Sequence, residues 1–294
     1  MFLLLNSKEC PQLACQLHID LVSLTERASP RAERTYPMST RDKASLIKQL
    51  EDYRLRNKEQ SGAGQALPDT LMMAWIFHDN QLEGRSLNPD EIKVAIYHRD
   101  QERPSYLRPL FEDIRVYRDA INLAWTWGQR GPEELTLTRL KELHKHLMQY
   151  TPQEGAKQRL NSPVHRDYHQ AICPHTAVQR LLQELYREVQ SFDPDTQEVL
   201  SYAASLHHKL MYVYPFRRMP GALARLFTNQ FLVSHGYPPI VIPAHERGAY
   251  YDALAAPDHQ ALTQIFHQAM WRILDILPQF EEAQRHVHRA HSAG

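Results

Sequence analysis

The 294-residue sequence is poor in glycine, cysteine and long apolar runs. Only 10 residues are glycine, about half of average usage, which favours a helical chain. The three cysteines, Cys10, Cys15 and Cys173, are too few for a disulfide framework and form no paired CxxC zinc pattern. No stretch approaches about 18 apolar residues, so we expect no membrane-spanning helix. The apolar N-terminal segment is short and has no basic flank, unlike a signal peptide, so we expect a cytoplasmic protein.

The sequence also has no excess of charge of either sign. Lys+Arg and Asp+Glu number 34 each, so the net charge is zero with histidine neutral. This balance predicts a protein that binds neither nucleic acid nor an anionic membrane surface. Hydrophobic residues make up 43% and charged residues 23%, values typical of a globular chain that buries a core.

Helix signals fill most of the chain, and strand signals are nearly absent. Helices are predicted from Asp42 onward and over Leu71–Leu82, Asn88–Tyr97, Pro109–Trp127, Thr138–Tyr150, His175–Phe192 and Asp193–Val213. The best strand candidates are Pro163–Cys173 and Ile240–Ile242. We therefore predict an all-α protein with at most one short β-hairpin. The expected parts are a loosely structured extension (residues 1–40), a helical domain (41–285) and a disordered His-rich tail (286–294).

Two predicted helices meet at Tyr214–Pro220. The proline after Tyr214 disfavours continuation of the first helix, and Pro220 suits the first turn of the second. A helix N terminus carries free N–H groups and partial positive charge, so this loop could hold an anion. Arg217, Arg218 and Arg225 add positive charge. The alternative is that these arginines form a solvated rim at a helix–helix corner.

The segment from Tyr214 to Arg225 resembles the core signature of the Fic family, HPFx(D/E)GNGRxxR. Aligned without gaps, it reads YPFRRMPGALAR. Upstream, Phe77–Gly84 (FHDNQLEG) is similar to the inhibitory helix motif (S/T)xxxE(G/N) found before the core in one Fic class. Glu83 and Gly84 match this motif, and Asp79 stands where Ser or Thr is usual. The resemblance extends over about residues 70 to 270 and implies a Fic-like helical domain with a β-hairpin flap.

The signature departs from the family at the positions that carry its chemistry. In the family the motif His is a general base, the Asp or Glu holds Mg²⁺, and the turn and arginines bind phosphates during AMP transfer from ATP. Here Tyr214 stands at the base position, and a phenol with a pKa near about 10 is a weak base at neutral pH. Arg218 at the metal position repels Mg²⁺. Met219, Pro220 and Ala222 replace the motif's first Gly, Asn and first Arg, and Pro220 removes a backbone donor. We therefore expect no magnesium site, no other cofactor and no ordinary AMP transfer.

The resemblance also assigns candidate roles to the residues at these positions. Tyr214 becomes a proton donor or hydrogen-bond anchor, and Arg218 takes the place of the metal's charge. The candidate ligand-binding residues are Arg217, Gly221 and Arg225. By resemblance to the inhibited class, Glu83 and Arg225 should form a salt bridge. In active relatives that bridge blocks ATP, whereas in this chain it is equally open to a structural role.

Several histidines offer competing interpretations. Four potential zinc ligands follow one another in the sequence: His165, His169, Cys173 and His175. Their HxxxHxxxCxH spacing matches no strong zinc template, so we expect no metal there. The adjacent pair at 207 and 208 lies one to two turns before the motif loop. Either histidine could replace the missing base, or both could belong to the core or the helix surface.

Three functions stay open at this point. The first is a cleft that binds a small anionic ligand or nucleotide without AMP transfer, with or without a new chemistry. The second is a catalytically inactive protein that regulates a protein partner through its Fic surface. The third is residual AMP transfer to protein hydroxyls. Whether the chain is an enzyme is left open, and if it is one, we do not expect an ordinary Fic adenylyltransferase.

Overall fold

The computed structural model describes residues 40–60, 66–97, 105–162, 171–195 and 197–292. Ten α-helices lie in this part of the chain: α1 (Thr40–Gln60), α2 (Asp69–Leu82), α3 (Pro89–Tyr97), α4 (Arg108–Arg130), α5 (Leu137–Leu147), α6 (Val178–Gln190), α7 (Val199–Val213), α8 (Pro220–Ser234), α9 (Arg247–Ala255) and α10 (Gln260–Ser292). Within the described residues no strand forms, and the one isolated antiparallel bridge joins Gln158 to Phe216. The prediction of an all-α fold is confirmed.

Helix α8 lies at the centre of the molecule. It packs against α4, α5 and α7, and α10 also packs against α7. Every residue from Pro220 to Leu232 is buried, so α8 has no solvent face. The polar residues of such a helix must find partners inside the protein, because burying an unpaired polar group costs free energy. This requirement shapes the site described below.

The helix boundaries near the site follow local capping rules. Helix α2 ends before Gly84, which has a φ of +77°, the left-handed conformation that glycine adopts at low cost. Helix α3 begins with a capping box, in which the Asn88 N–H donates to Glu91 Oε2 (3.0 Å) and Asn88 Oδ1 accepts from the Asp90 N–H (2.9 Å). The observed end of α2 at Leu82 and the start of α3 after Asn88 agree with the predicted helix limits.

Helix α7 starts later than predicted. The expected start was at Asp193-Pro194, but Asp193 Oδ1 accepts from the Asp195 N–H (3.0 Å) in a turn of its own. The helix begins at Val199, where the Glu198 carboxylate accepts from the Leu200 N–H (2.9 Å). A carboxylate at this position both caps the first turn and complements the helix dipole.

Neither strand prediction corresponds to a strand in the described residues. The segment Ile240–Ile242 is buried but irregular, because the Asn229 side chain takes the place of a neighbouring strand. Asn229 Nδ2 donates to the Ile240 carbonyl and its Oδ1 accepts from the Ile240 N–H, both at 2.9 Å. Of the other candidate, Pro163–Cys173, residues 163–170 lie outside the described residues.

Of the two terminal segments predicted from the sequence, most of the C-terminal one lies within the described residues. Residues 1–39 of the predicted extension lie outside the described residues, as does the loop at 61–65. Helix α10 continues to Ser292, through residues 286–292 of the tail that was predicted to be disordered. The residues just before this tail, 281–285 (EEAQR), are good helix formers. None of the described helices is long and apolar enough to cross a membrane.

Candidate functional site

The loop between α7 and α8 is held in an unusual backbone conformation. Tyr214 (φ +46°) and Met219 (φ +54°) are both left-handed, which costs a non-glycine residue about 1–2 kcal/mol. Met219 occupies the position of the first glycine of the Fic signature. The loop therefore keeps a glycine-type conformation without the glycine, and its surroundings must fix that conformation.

His144 on α5 fixes one side of this loop. Its Nδ1 accepts from the Ala156 N–H (2.8 Å), so the neutral ring carries its proton on Nε2 and donates it to the Arg218 carbonyl (3.0 Å). The ring stacks on Phe216 with centroids 4.1 Å apart. Burial lowers the pKa of His144, which favours this neutral form. The sequence did not single out His144 as a site residue.

Arg159 fixes the other side. Its guanidinium is buried and donates to the carbonyls of Tyr214 (Nε, 2.7 Å) and Val213 (Nη2, 3.2 Å), and also to the carbonyl of Cys173. The Val213 and Tyr214 carbonyls lie at the C terminus of α7, where partial negative charge accumulates, so a cation is favourable there. The loop is thus held between a neutral histidine and a buried arginine.

The loop residues that the sequence suggested for catalysis do not converge. The Tyr214 side chain is fully buried in the core, with 0% of its surface exposed. Arg218 is exposed, and His144 binds only its carbonyl. Arg217 is also exposed, with its Nη2 3.5 Å from Glu154 Oε1. The tyrosine and the two arginines therefore face different environments.

Neither histidine at the end of α7 replaces the missing base. His207 is buried, and its Nε2 lies 2.8 Å from the Tyr250 hydroxyl. Burial, with Arg225 nearby, lowers the pKa of His207 to about 3, so this ring is neutral in the folded protein. His208 Nε2 lies 3.1 Å from the Ala256 carbonyl, away from the loop. Of the two placements considered for these histidines, the structure shows the core and helix-surface one.

Arg225 on α8 is the centre of a buried ionic cluster. Its Nε lies 2.9 Å from Asp79 Oδ1, and its Nη2 donates to Glu83 Oε1 at 2.7 Å. The side chains of Arg225 and Asp79 are 4% and 2% exposed. The expected Glu83–Arg225 salt bridge is present. Asp79 is a second carboxylate on the same guanidinium, a contact that the sequence analysis did not foresee.

Asp79 is held from three sides. Its Oδ2 accepts from Trp75 Nε1 (3.2 Å) and from the Tyr117 hydroxyl, while Arg225 approaches Oδ1. Burial raises the pKa of Asp79, and Arg225 and Tyr117 oppose this shift by stabilising the carboxylate. Burial and the neighbouring Asp79 charge raise the pKa of Tyr117 well above its ordinary value, so Tyr117 is a hydrogen-bond donor.

The other face of Arg225 joins a polar chain through the core. Its Nη1 donates to the Tyr250 hydroxyl (3.3 Å), so this hydroxyl directs its own proton to His207 Nε2 (2.8 Å). His207 Nδ1 in turn lies 3.3 Å from Thr228 Oγ1. Arg225 is therefore surrounded by groups of its own chain rather than directed into solvent, and 4% of its side chain is exposed.

Glu83 occupies the N terminus of α8. A Cβ placed on Gly221 would lie 2.2 Å from Glu83 Oε1 and 3.0 Å from Arg225 Nη1. The carboxylate thus rests against the first turn of α8, where free N–H groups and the helix dipole attract an anion. The sequence predicted an anion site at this point, and in the structure the Glu83 carboxylate lies against it.

The predicted zinc set is only partly described. His165 and His169 lie outside the described residues, Cys173 is buried and His175 is exposed. Burial raises the pKa of the Cys173 thiol, which disfavours the thiolate that zinc requires. Among the side chains that the structure describes, no group of three or more His, Cys, Asp or Glu is placed to hold a metal.

Part of this chain matches a known protein family. Residues 134–232 match the Fic/DOC family, a span from just before α5 to near the end of α8 that includes the motif loop. The chain contains a Fic/DOC-family domain. The matched span holds His144, Arg159 and Arg225, whereas Asp79 and Glu83 precede it.

Solved structures of Fic proteins share the fold. A Fic domain containing signaling protein from Bacteroides thetaiotaomicron superposes with a TM-score of 0.63 at 18% identity, covering 82% of this chain and 97% of that one. Fic-1 from C. elegans superposes with a TM-score of 0.63 at 15% identity, covering 91% and 82%. At such identities the likeness shows the fold alone.

Sequence relatives are named protein adenylyltransferases. The Drosophila erecta "Protein adenylyltransferase Fic" is 34% identical over 122 residues, which are 41% of this chain and 24% of that protein. The Nematostella vectensis protein of the same name is 24% identical over 185 residues, 63% and 43% of the two chains. The match to this Fic-domain chain thus spans less than half the length of either relative.

Proposed function

We propose that this Fic-domain protein does not carry out Mg²⁺-dependent AMP transfer and that the N terminus of α8 is a site for a small anionic ligand. The single observation that carries the proposal is the position of the Glu83 carboxylate against Gly221 and Arg225. A carboxylate from the chain itself already accepts from Arg225 Nη2 there (2.7 Å), so an external anion would bind by displacing Glu83.

The residues at the family's base and metal positions argue against AMP transfer. Tyr214 has no exposed surface from which to accept a proton from a target hydroxyl. Arg218 does not fit Mg²⁺, because two like unit charges 4 Å apart repel by about 4 kcal/mol at an effective dielectric constant of 20, and a dication doubles this cost. The names of the relatives make AMP transfer the competing function. We derive no magnesium-dependent step for this chain.

Of the two carboxylates that contact Arg225, Glu83 is the one that an external anion can displace. It is 23% exposed, against 2% for Asp79. It forms the C-cap of α2 directly before the left-handed Gly84, at a point where the chain leaves the helix. A small carboxylate or phosphate that replaced it would meet Arg225 Nη2 and the first turn of α8. The exposed Arg217 and Arg218 add positive charge to the loop above.

The test is a thermal-shift and labelling experiment on the wild type and on Glu83→Gly. We expect acetate to stabilise Glu83→Gly saturably and the wild type weakly, because Glu83 competes for the site. Adding Gly221→Ala to Glu83→Gly places a methyl group in the vacated space and should abolish the effect. Transfer of label from radiolabelled ATP to protein, boosted by Glu83→Gly and stopped by a chelator, would establish AMP transfer instead. No response to acetate in any variant would favour the alternative function, a catalytically inactive protein that regulates a protein partner.

A further inference from the structure

The two carboxylates on Arg225 differ in how firmly they are held. Asp79 is buried and accepts hydrogen bonds from Trp75 and Tyr117 as well as facing Arg225. Glu83 is partly exposed, and its carboxylate contacts the guanidinium alone among side-chain donors of the described residues. Displacement of Glu83 therefore leaves Asp79 on Arg225.

This difference fixes the charge that an incoming ligand meets. Arg225 contributes one positive charge, and Asp79 already neutralises it. What attracts a ligand is then the free edge of the guanidinium at Nη2 and the N terminus of α8, equivalent to about half a positive charge. That balance suits a group of one negative charge, the charge of the Glu83 carboxylate it would replace.

We infer that Asp79 is a specificity-determining residue that limits the anion site to singly charged carboxylates and excludes polyphosphates. The inference rests on the proposed function and names its ligand class. A polyphosphate would bring several negative charges to a guanidinium whose Nε already faces Asp79 Oδ1 at 2.9 Å. The buried Asp79 carboxylate repels each added negative charge strongly, because the effective dielectric constant around it is lower than that of water. The Ser or Thr that is usual at this position of the motif is neutral and imposes no such limit.

The experiment compares two anions on Glu83→Gly in the presence and absence of Asp79. Acetate and inorganic pyrophosphate are titrated by calorimetry at constant ionic strength, so that general salt effects cancel. Asp79→Asn in the Glu83→Gly background removes the charge and keeps an oxygen that can accept from Tyr117. The matched control is Asp113→Asn in the same background, since Asp113 is an exposed carboxylate near Arg85 (3.7 Å) with 63% of its side chain accessible.

We expect Glu83→Gly to bind acetate and not pyrophosphate, and the added Asp79→Asn change to tighten pyrophosphate binding by about tenfold or more. Asp113→Asn should change neither affinity by more than about twofold. Equal affinity for pyrophosphate with and without Asp79 would overturn the inference while leaving the anion site intact. Absence of binding by either anion to every variant would overturn the proposed function itself.

The inference can still be tested if the Asp79→Asn variant fails to fold. The preference of Glu83→Gly alone then decides, because Asp79 is intact in that variant. Pyrophosphate binding as tight as acetate binding would contradict a role for Asp79 in selection. Asp79→Ser, which restores the residue type usual in the motif, provides a second way to remove the charge with a smaller side chain.

Discussion

Replacement of Arg225 by methionine is the sharpest test of the ionic cluster. Arg225→Met keeps an unbranched side chain but removes the only positive charge that the described residues place on Asp79 and Glu83. Glu83 is partly exposed and can turn to solvent. Asp79 is buried and cannot, so it is left as an uncompensated carboxylate unless it takes up a proton.

The expected loss of stability follows from that burial. Breaking a buried ion pair by removal of one partner costs about 3–5 kcal/mol. For a domain of this size each kcal/mol lowers the melting temperature by about 2–4 °C, so Arg225→Met should melt about 6–20 °C below the wild type. The matched control is Arg218→Met, which replaces an exposed arginine on the loop before α8 and should cost less than about 0.5 kcal/mol.

The pH dependence of this loss gives a second measurement. Burial already raises the pKa of Asp79, and loss of Arg225 removes the main opposing influence, so the pKa rises further. An aspartate whose pKa is raised in the folded state destabilises the fold as pH rises from its unfolded value of about 3.9 through its folded value. The stability gap between Arg225→Met and wild type, measured by urea unfolding, should therefore be smaller at about pH 5 than at about pH 8.

Two results would refute this reasoning. A loss below about 1 kcal/mol at both pH values would mean that Asp79 does not depend on Arg225 for its charge. A gap that widened on acidification would give the wrong sign for a buried carboxylate. The double variant Asp79→Asn/Arg225→Met, in which no charge is stranded, should recover part of the loss and flatten the pH dependence.

Two further outcomes follow from contacts near the cluster. Gly221→Ala should displace Glu83, because the added Cβ would lie 2.2 Å from Glu83 Oε1, and should cost about 1–3 kcal/mol of unfolding free energy, recovered when Glu83→Gly is added. His78 and His207 are neutral when folded, with pKa values of about 4 and about 3, mainly through burial. The unfolded chain takes up these protons below about pH 6.5, so urea unfolding should show stability falling on acidification by about 1.4 kcal/mol per pH unit for each histidine.

The two helices and the connecting loop that form the framework of the site could be predicted from the sequence alone. Proline at 215 and 220 marked the loop between two helices, and the observed limits at Val213 and Pro220 agree with that prediction. The predicted end of the first helix and the predicted start of the second both depend on local backbone rules, which act within a few residues. The Glu83–Arg225 contact came from family resemblance rather than from local rules, since its partners are 142 residues apart.

The side-chain contacts that stabilise the site were harder to predict, because they depend on which helix faces pack against each other in the folded protein. Tyr214 was assigned a chemical role from its motif position, and only its burial shows that it belongs to the core. The burial of Asp79 could have been predicted from the sequence, because a carboxylate within a largely apolar helix is expected to be buried and paired. Its partner Tyr117 on α4 could not be named without knowing how α4 packs on α2.

The Arg225 cluster also bears on how the chain reaches this fold. Asp79 and Glu83 lie near the end of α2, and Arg225 enters their neighbourhood only after a chain segment of 142 residues has been placed between them. Closing a loop has an entropic cost that grows with its length, so we expect the ion pairs to form after the local helices. Arg225 would then keep its water until Asp79 and Glu83 are in place, and its charge would be desolvated together with theirs. The contact thus ties the end of α2 to α8 across nearly half of the sequence.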